Sequence, residues 1–229
     1  MTAPVDSAGE QVDAARKQVA AACRRLAAAG LVPGTSGNVS ARAGHAVAVT
    51  ATGLDLAEAT AEGISVVGLD GTLLAGRYEA TSELPLHLAV YARYPAGAIV
   101  HTHAPASTAV SCLVEEVPPI HYATLSFGGP VRVAPFATFG TPELAEAVVA
   151  ALADRKGALM ANHGAITWAG DLAQAVELTA VLEWLCEVYL RAAAAGTPRV
   201  LTGAQLDAVA RAMRLRSYGT VRPAQTQPE

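Results

Sequence analysis

The chain has 229 residues, 52% of them hydrophobic and 16% charged, with a formal net charge of -4 at neutral pH. That length fills one large domain or two small ones, and the composition excludes disorder over most of the chain. The acidic balance argues against a nucleic-acid-binding protein, although a local cradle can still hold a small anion. Every apolar run is broken by Gly, Pro or charge before ~18 residues, so no membrane span is expected. The first seventeen residues, MTAPVDSAGEQVDAARK, lack the apolar stretch of a secretory signal. A cytoplasmic protein without membrane partners is the expectation. Cys23, Cys112 and Cys186 form no CxxC and suit a reducing compartment; the first and last sit on apolar helical stripes and read as buried thiols.

In chain order, Val12, Ala15, Val19, Ala22, Cys23 and Leu26 recur at helical spacing, predicting a helix over 7–29 with Gly30 at its end. LVPGTSGNVS reads as a loop feeding a strand, and HAVAVTATG (45–53) as a strand ending in a turn. ISVVGLDGTLLAG (64–76) reads as two short strands about Asp70-Gly71. TSELPLHLAVYARYP (81–95) predicts a helix capped by Thr81 or Ser82, with Glu83 in the first turn. GAIVHTHA is a strand, followed by a short helix from Pro105. VPPIHYATLSFGG reads as a strand or extended stretch entering a glycine turn. Thr141-Pro142 opens another helix. ALMANHGAITW reads as buried strand with a turn at 162–164. Asp171 and Gln174 make a capping box for a helix to about Ala195, and Thr202 and Gln205 repeat the device for a last one. The strands lack the regular spacing of parallel βαβ units. The expectation is one α/β domain with a mixed or mainly antiparallel sheet, with residues 1–6 and 220–229 as flexible tails.

Two of the six histidines, His101 and His103, end an apolar strand one residue apart. Side chains alternate along a strand, so both imidazoles point to one face and can meet one ion. The plain alternative is two half-exposed polar residues at a strand end, and HxH alone does not decide. A zinc site needs more ligands. His45 reads as a solvated turn residue and His87 as a satisfied helix histidine. Spacing ranks His163 first and His121 second, and leaves that choice open. Glu83 on its own reads as a favourable helix-terminus charge, worth ~0.3–1 kcal/mol; beside three histidines it becomes a fourth ligand able to carry a proton. Three loops of small hydroxyl residues and glycine, 34–38, 50–53 and 81–82, offer an anion cradle without lysine. No P-loop, GxGxxG or GxSxG is present.

The segments GTSGNVS, TATG, TSELPLH, AIVHTHAP, IHYATLSFGG, FATFGT and ANHG, in this order, resemble the class II aldolase/adducin family. The pattern is most similar to its metal-dependent L-fuculose-1-phosphate aldolase branch, from about Ala20 to Tyr218. The resemblance implies a central, mostly antiparallel sheet flanked by helices. It also implies a homotetramer with active sites at subunit interfaces. It makes His101, His103 and His163 ligands of Zn2+, so choosing between the two candidates that spacing left open, and makes Glu83 the catalytic acid/base and resting fourth ligand. Gly37, Asn38, Thr52, Gly53, Thr81 and Ser82 match phosphate-binding positions. Tyr122 matches a proton donor that reaches a neighbouring subunit's site. Phe139 and Tyr218 match residues at the aldehyde end. Ala51, where the family often has Pro, and Thr81, where it often has Ser, depart from the pattern without removing a chemical group.

The implied reaction is cleavage of a ketose 1-phosphate to dihydroxyacetone phosphate and an aldehyde, with the electrons left at C3 held as an enediolate. A Schiff-base aldolase needs a desolvated lysine. The chain has only Lys17, on a charged helix face, and Lys156, in a DRKG turn. A Lewis-acid metal does the same work. Competing readings are a ribulose-phosphate 4-epimerase, a sugar-phosphate dehydratase or decarboxylase, an adducin-like interaction domain, and an unrelated zinc hydrolase with three histidine ligands.

Overall fold

The computed structural model of the chain describes residues 5–216 and residue 219. Among the described residues there are six α-helices: α1 (Val5–Ala28), α2 (Leu84–Arg93), α3 (Pro105–Ser111), α4 (Pro142–Ala151), α5 (Leu172–Ala195) and α6 (Gly203–Arg216). The strands are β1 (Asn38–Ala43), β2 (Ala46–Thr50), β3 (Ile64–Gly68), β4 (Leu73–Ala75), β5 (Ala98–Thr102), β6 (Glu116–Val117), β7 (Val131–Ala134), β8 (Gly157–Met160) and β9 (Gly164–Ala169). They form a single sheet in the order β4-β3-β2-β1-β5-β9-β8-β7-β6, with β7–β8 the only parallel pair among them. The expected mixed, mainly antiparallel α/β sheet flanked by helices is what the chain forms. No helix among the described residues is long and apolar enough to cross a membrane.

The helices cover both faces, and strand alternation decides which residue meets which layer. Ala98 and Val100 of β5 pack with Val19, Cys23 and Leu26 of α1 and Val176 of α5. Ile99, between them, packs on the other face with Leu86 and Val90 of α2 and Val148 of α4. His101 follows Ile99 by two, so it emerges on the α2 side, beside the helix end that carries Glu83. A third cluster joins Val110 of α3 to Leu182, Leu185 and Cys186 of α5.

Three expectations need correction. First, α1 begins at Val5, inside the stretch expected to be a tail; residues 1–4, 220–229 and Tyr218 lie outside the described residues. Second, residues 122–127 are not extended. They wind into a 3-10 helix whose N-cap is His121, with Nδ1 accepting from Ala123 N, and whose left-handed end is Gly128. Third, neither Thr81 nor Ser82 caps α2, and Glu83 is not inside its first turn. Glu83 occupies the N-cap position, and its side chain makes no capping bond. Instead Thr81 Oγ1 accepts from Glu83 N at 3.3 Å, a local turn that leaves the carboxylate free to point elsewhere. Strand β7 has no counterpart in the sequence reading.

Candidate active site

Three strands and a helix end converge on one cluster. His101 is the fourth residue of β5, and His103 lies one residue beyond its end. β9 is the neighbour of β5, so the β8–β9 turn carries His163 to the same place. That turn needs Asn162 in the left-handed region (φ 56). It also needs Gly164, because a Cβ there would stand 2.3 Å from the Thr102 carbonyl oxygen. Glu83 arrives from the start of α2.

The ring centroids of His101, His103 and His163 lie 4.8–4.9 Å apart. One ligand atom from each, with a Glu83 oxygen, falls within 4.8 Å of all the others. The Nδ1–H of His101 donates to the Ala165 carbonyl at 2.9 Å, which turns its Nε2 inward. That nitrogen then lies 3.0 Å from Glu83 Oε2 and 3.0 Å from His103 Nε2. One proton cannot serve both contacts, whereas one cation serves all of them. Glu83 Oε1 is buried without a hydrogen-bond partner, 3.5 Å from His163 Nε2. Three imidazoles and a carboxylate with an orphaned oxygen fit a divalent ion of the zinc type.

Electrostatics agree. Burial, then the neighbouring His101 and His163, pushes His103 down to about 4, so its ring is neutral with a lone pair to offer. Burial and His101 lower His163 as well. Burial alone would raise Glu83, but His101, Asn38 and His163 together hold it well below the usual carboxylate range. It is ionised.

The cluster forms part of the wall of a cavity of about 650 Å³. Gly37, Asn38, Thr52, Gly53, Thr81 and Ser82 all line it, with Glu83, His103, His163 and Phe139. No lysine or arginine among the described residues does, so hydroxyls, backbone N–H groups and the ion would have to hold an anion. Asn38 is the exception among the cradle candidates: its side-chain amide bonds Glu83 and His87, and is not available to an anion while those bonds hold. Tyr122 opens the 3-10 helix and lies beside the His121 ring, and it does not line this chain's cavity. His45 is exposed. His121 takes no part in the cluster, and its ring meets Trp184 edge-on.

Sequence reasoning missed Asn38 as a partner of Glu83, and His87, Ser40 and Tyr91 behind it. The signal was there in two spacings, NxS at 38–40 and ExxxHxxxY at 83–91.

A mixed sheet between helices, with a three-histidine, one-glutamate cluster beside a hydroxyl-lined cavity, defines a metal-dependent lyase of the class II aldolase kind. Residues 17–190 match the family model described as Class II Aldolase and Adducin N-terminal domain, and the chain belongs to that family. It is 34% identical to the 5-deoxy-D-ribulose 1-phosphate aldolase of Bacillus thuringiensis serovar kurstaki, over 83% of this chain and 90% of that one. It is 36% identical to the 5-methylthioribulose-1-phosphate/5-deoxyribulose-1-phosphate aldolase of Rhodospirillum rubrum, over 83% of this chain and 86% of that one. A solved L-fuculose 1-phosphate aldolase superposes with a TM-score of 0.81 at 31% identity, covering 93% of this chain and 98% of that one.

Proposed function

We propose that this enzyme cleaves a ketose 1-phosphate to dihydroxyacetone phosphate and an aldehyde, with Zn2+ held by His101, His103, His163 and Glu83. The observation that carries this reading is the convergence of those four side chains beside a cavity rimmed by the 34–38, 51–53 and 81–82 loops. When bound, the ion supplies a Lewis acid that polarises the substrate carbonyl.

The protein's own groups do the rest. Exposed hydroxyls of Thr52 and Ser82, with the turns at Gly37 and Gly53 and the buried Thr81 at the start of α2, bind the phosphate. Glu83, ionised at rest, takes up the proton that the substrate's C4 hydroxyl gives up, and delivers it to C3 after the carbon–carbon bond breaks. Tyr122, from a neighbouring subunit of a homotetramer, manages the proton on the C4 oxygen. Phe136 and Phe139 line the same cavity at 68% and 62% exposure and give the leaving aldehyde an apolar wall. That wall favours a substrate ending in a methyl or methylthio group, in keeping with the two relatives' names.

The test is a panel of ketose 1-phosphates with detection of dihydroxyacetone phosphate and free aldehyde. The reading predicts aldehyde release, loss of activity with a chelator and restoration by Zn2+. It also predicts a kcat/KM at least about tenfold higher for 5-deoxy than for 5-hydroxy substrates. Epimerised product without free aldehyde would replace it with the 4-epimerase reading. Glu83→Gln should retain the fold and lower kcat by about 10²–10⁴; wild-type turnover in that variant removes Glu83 from the chemistry.

A further inference from the structure

Glu83, His87 and Tyr91 stand four apart from the N-cap of α2 along the helix, while Asn38 and Ser40 stand two apart along β1. Four helical residues rise about 6 Å and two strand residues about 6.8 Å, so the two rows stay in step. Their side chains alternate in one hydrogen-bonded series. The Tyr91 hydroxyl meets Ser40 Oγ at 2.9 Å, and Ser40 Oγ meets His87 Nδ1 at 2.7 Å. His87 Nε2 meets Asn38 Oδ1 at 2.5 Å, and Asn38 Nδ2 donates to Glu83 Oε2 at 2.8 Å. All five residues are buried.

The direction of every bond follows from one end. The carboxylate only accepts, so Asn38 presents its NH2 to Glu83 and its carbonyl oxygen to His87. That oxygen needs a donor, so His87 carries its proton on Nε2. The ring's two side-chain partners are an amide and a hydroxyl, neither charged, so the imidazole is neutral and Nδ1 accepts. Ser40 therefore gives its one proton to His87, and Tyr91 gives its own to Ser40.

We propose that His87, Ser40 and Tyr91 are positioning residues that lock the orientation of the Asn38 amide and, through it, aim Glu83 at the three histidines. Without them the amide can flip about its last torsion and turn its oxygen on the carboxylate. The His87 Nε2–H forbids that flip, because the flipped NH2 would face another donor. Oε2 is thus held, and Oε1 is left as the unpartnered oxygen facing His163. The lock rests on the reading of Glu83 as metal ligand and acid/base.

The experiment compares His87→Leu, which keeps much of the volume without a donor, with His87→Gln, which restores one near Nε2. His87→Leu should lower kcat by about 10–100-fold with KM changed less than about threefold, and should weaken Zn2+ retention against a competing chelator by a similar factor. His87→Gln should recover most of both. Heteronuclear NMR of the wild-type protein without metal should show His87 as the Nε2–H tautomer. Equal losses in both variants, a change in KM alone, or an Nδ1–H tautomer would overturn the lock. If His87→Leu does not fold, Ser40→Ala carries the test, with a smaller loss in kcat and a mixed His87 tautomer expected; an unchanged tautomer and kcat overturn the lock. The tautomer and the chelator competition are read without substrate. The expected tautomer in a protein that cleaves no ketose 1-phosphate therefore counts against the function alone, and an Nδ1–H tautomer in an active aldolase counts against the lock alone.

Discussion

Cys23 and Cys186 are buried fillers of the α1 and α5 interfaces, and burial outweighs the one basic neighbour, Arg24 beside Cys23, that could favour a thiolate. Burial pushes the Cys23 thiol up to about 12 against a modest opposing pull from Arg24, and burial with Glu183 raises Cys186 as well. The unfolded chain releases these protons above about pH 9, while the native chain keeps them. Between pH 9 and about 12 the unfolded state therefore binds fewer protons, and stability falls as pH rises, by about 1.4 kcal/mol per pH unit for each thiol. Melting temperatures measured from pH 8 to pH 10.5 should drop along that slope, and a Cys23→Ala, Cys186→Ala double variant should flatten it; an unchanged slope assigns the loss to other groups. Burial of these thiols was legible in the helical spacing, because it depends on one periodic stripe. The choice of His163 over His121 was not legible from spacing. It depends on β9 lying next to β5, a pairing between segments more than sixty residues apart. His87 was rightly read as a satisfied helix histidine, but a helix alone cannot reveal that the partner satisfying it is Asn38, the residue holding Glu83.

At the scale of elements, signals carried by four neighbouring residues were legible and signals carried by distant pairing were not. Thr141 accepts from Leu144 N with Pro142 following it, and Asp171 accepts from Gln174 N, as the sequence predicts. Strand β7 is only four residues long, and its parallel partner β8 lies across α4. The apolar run 122–127 has strand composition, but the His121 cap and the left-handed Gly128 close it into a 3-10 helix. A different long-range contact steadies the segment that follows His103. Glu183 of α5 accepts from Ala106 N at 2.7 Å and Ser107 N at 2.8 Å, fixing the first turn of α3 just after His103. Both bonds are charge-assisted, so Glu183→Ala should lower the unfolding free energy by about 2 kcal/mol in urea denaturation. It should also weaken Zn2+ retention, since His103 rides on the loosened segment; Glu183→Gln should lose less of each. Full metal affinity in the alanine variant would show that β5 alone fixes His103.

The molecule as a whole presents a site that one chain does not complete on the proposed mechanism. Tyr122, assigned to the C4 oxygen, does not line its own chain's cavity. Leu73, Leu74, Tyr78 and Leu113 expose half or more of their surface, an apolar load that suits burial between copies. In a cyclic tetramer every interface is heterologous, so each active site would take Glu83 from one subunit and Tyr122 from the next. That arrangement makes a quantitative prediction. Tyr122→Phe should lose carbon–carbon cleavage more than proton exchange at C3, because the tyrosine serves only the C4 oxygen. Glu83→Gln should lose both. Unfolding and refolding the two variants together in equal amounts gives random assembly. About one interface in four then pairs an intact Glu83 with an intact Tyr122, and about a quarter of wild-type cleavage should return. Activity no higher than the mean of the two variants would mean that each site draws both groups from a single chain. The tyrosine would then have to reach the cavity by a movement of the 3-10 helix, and a monomeric variant would keep full turnover.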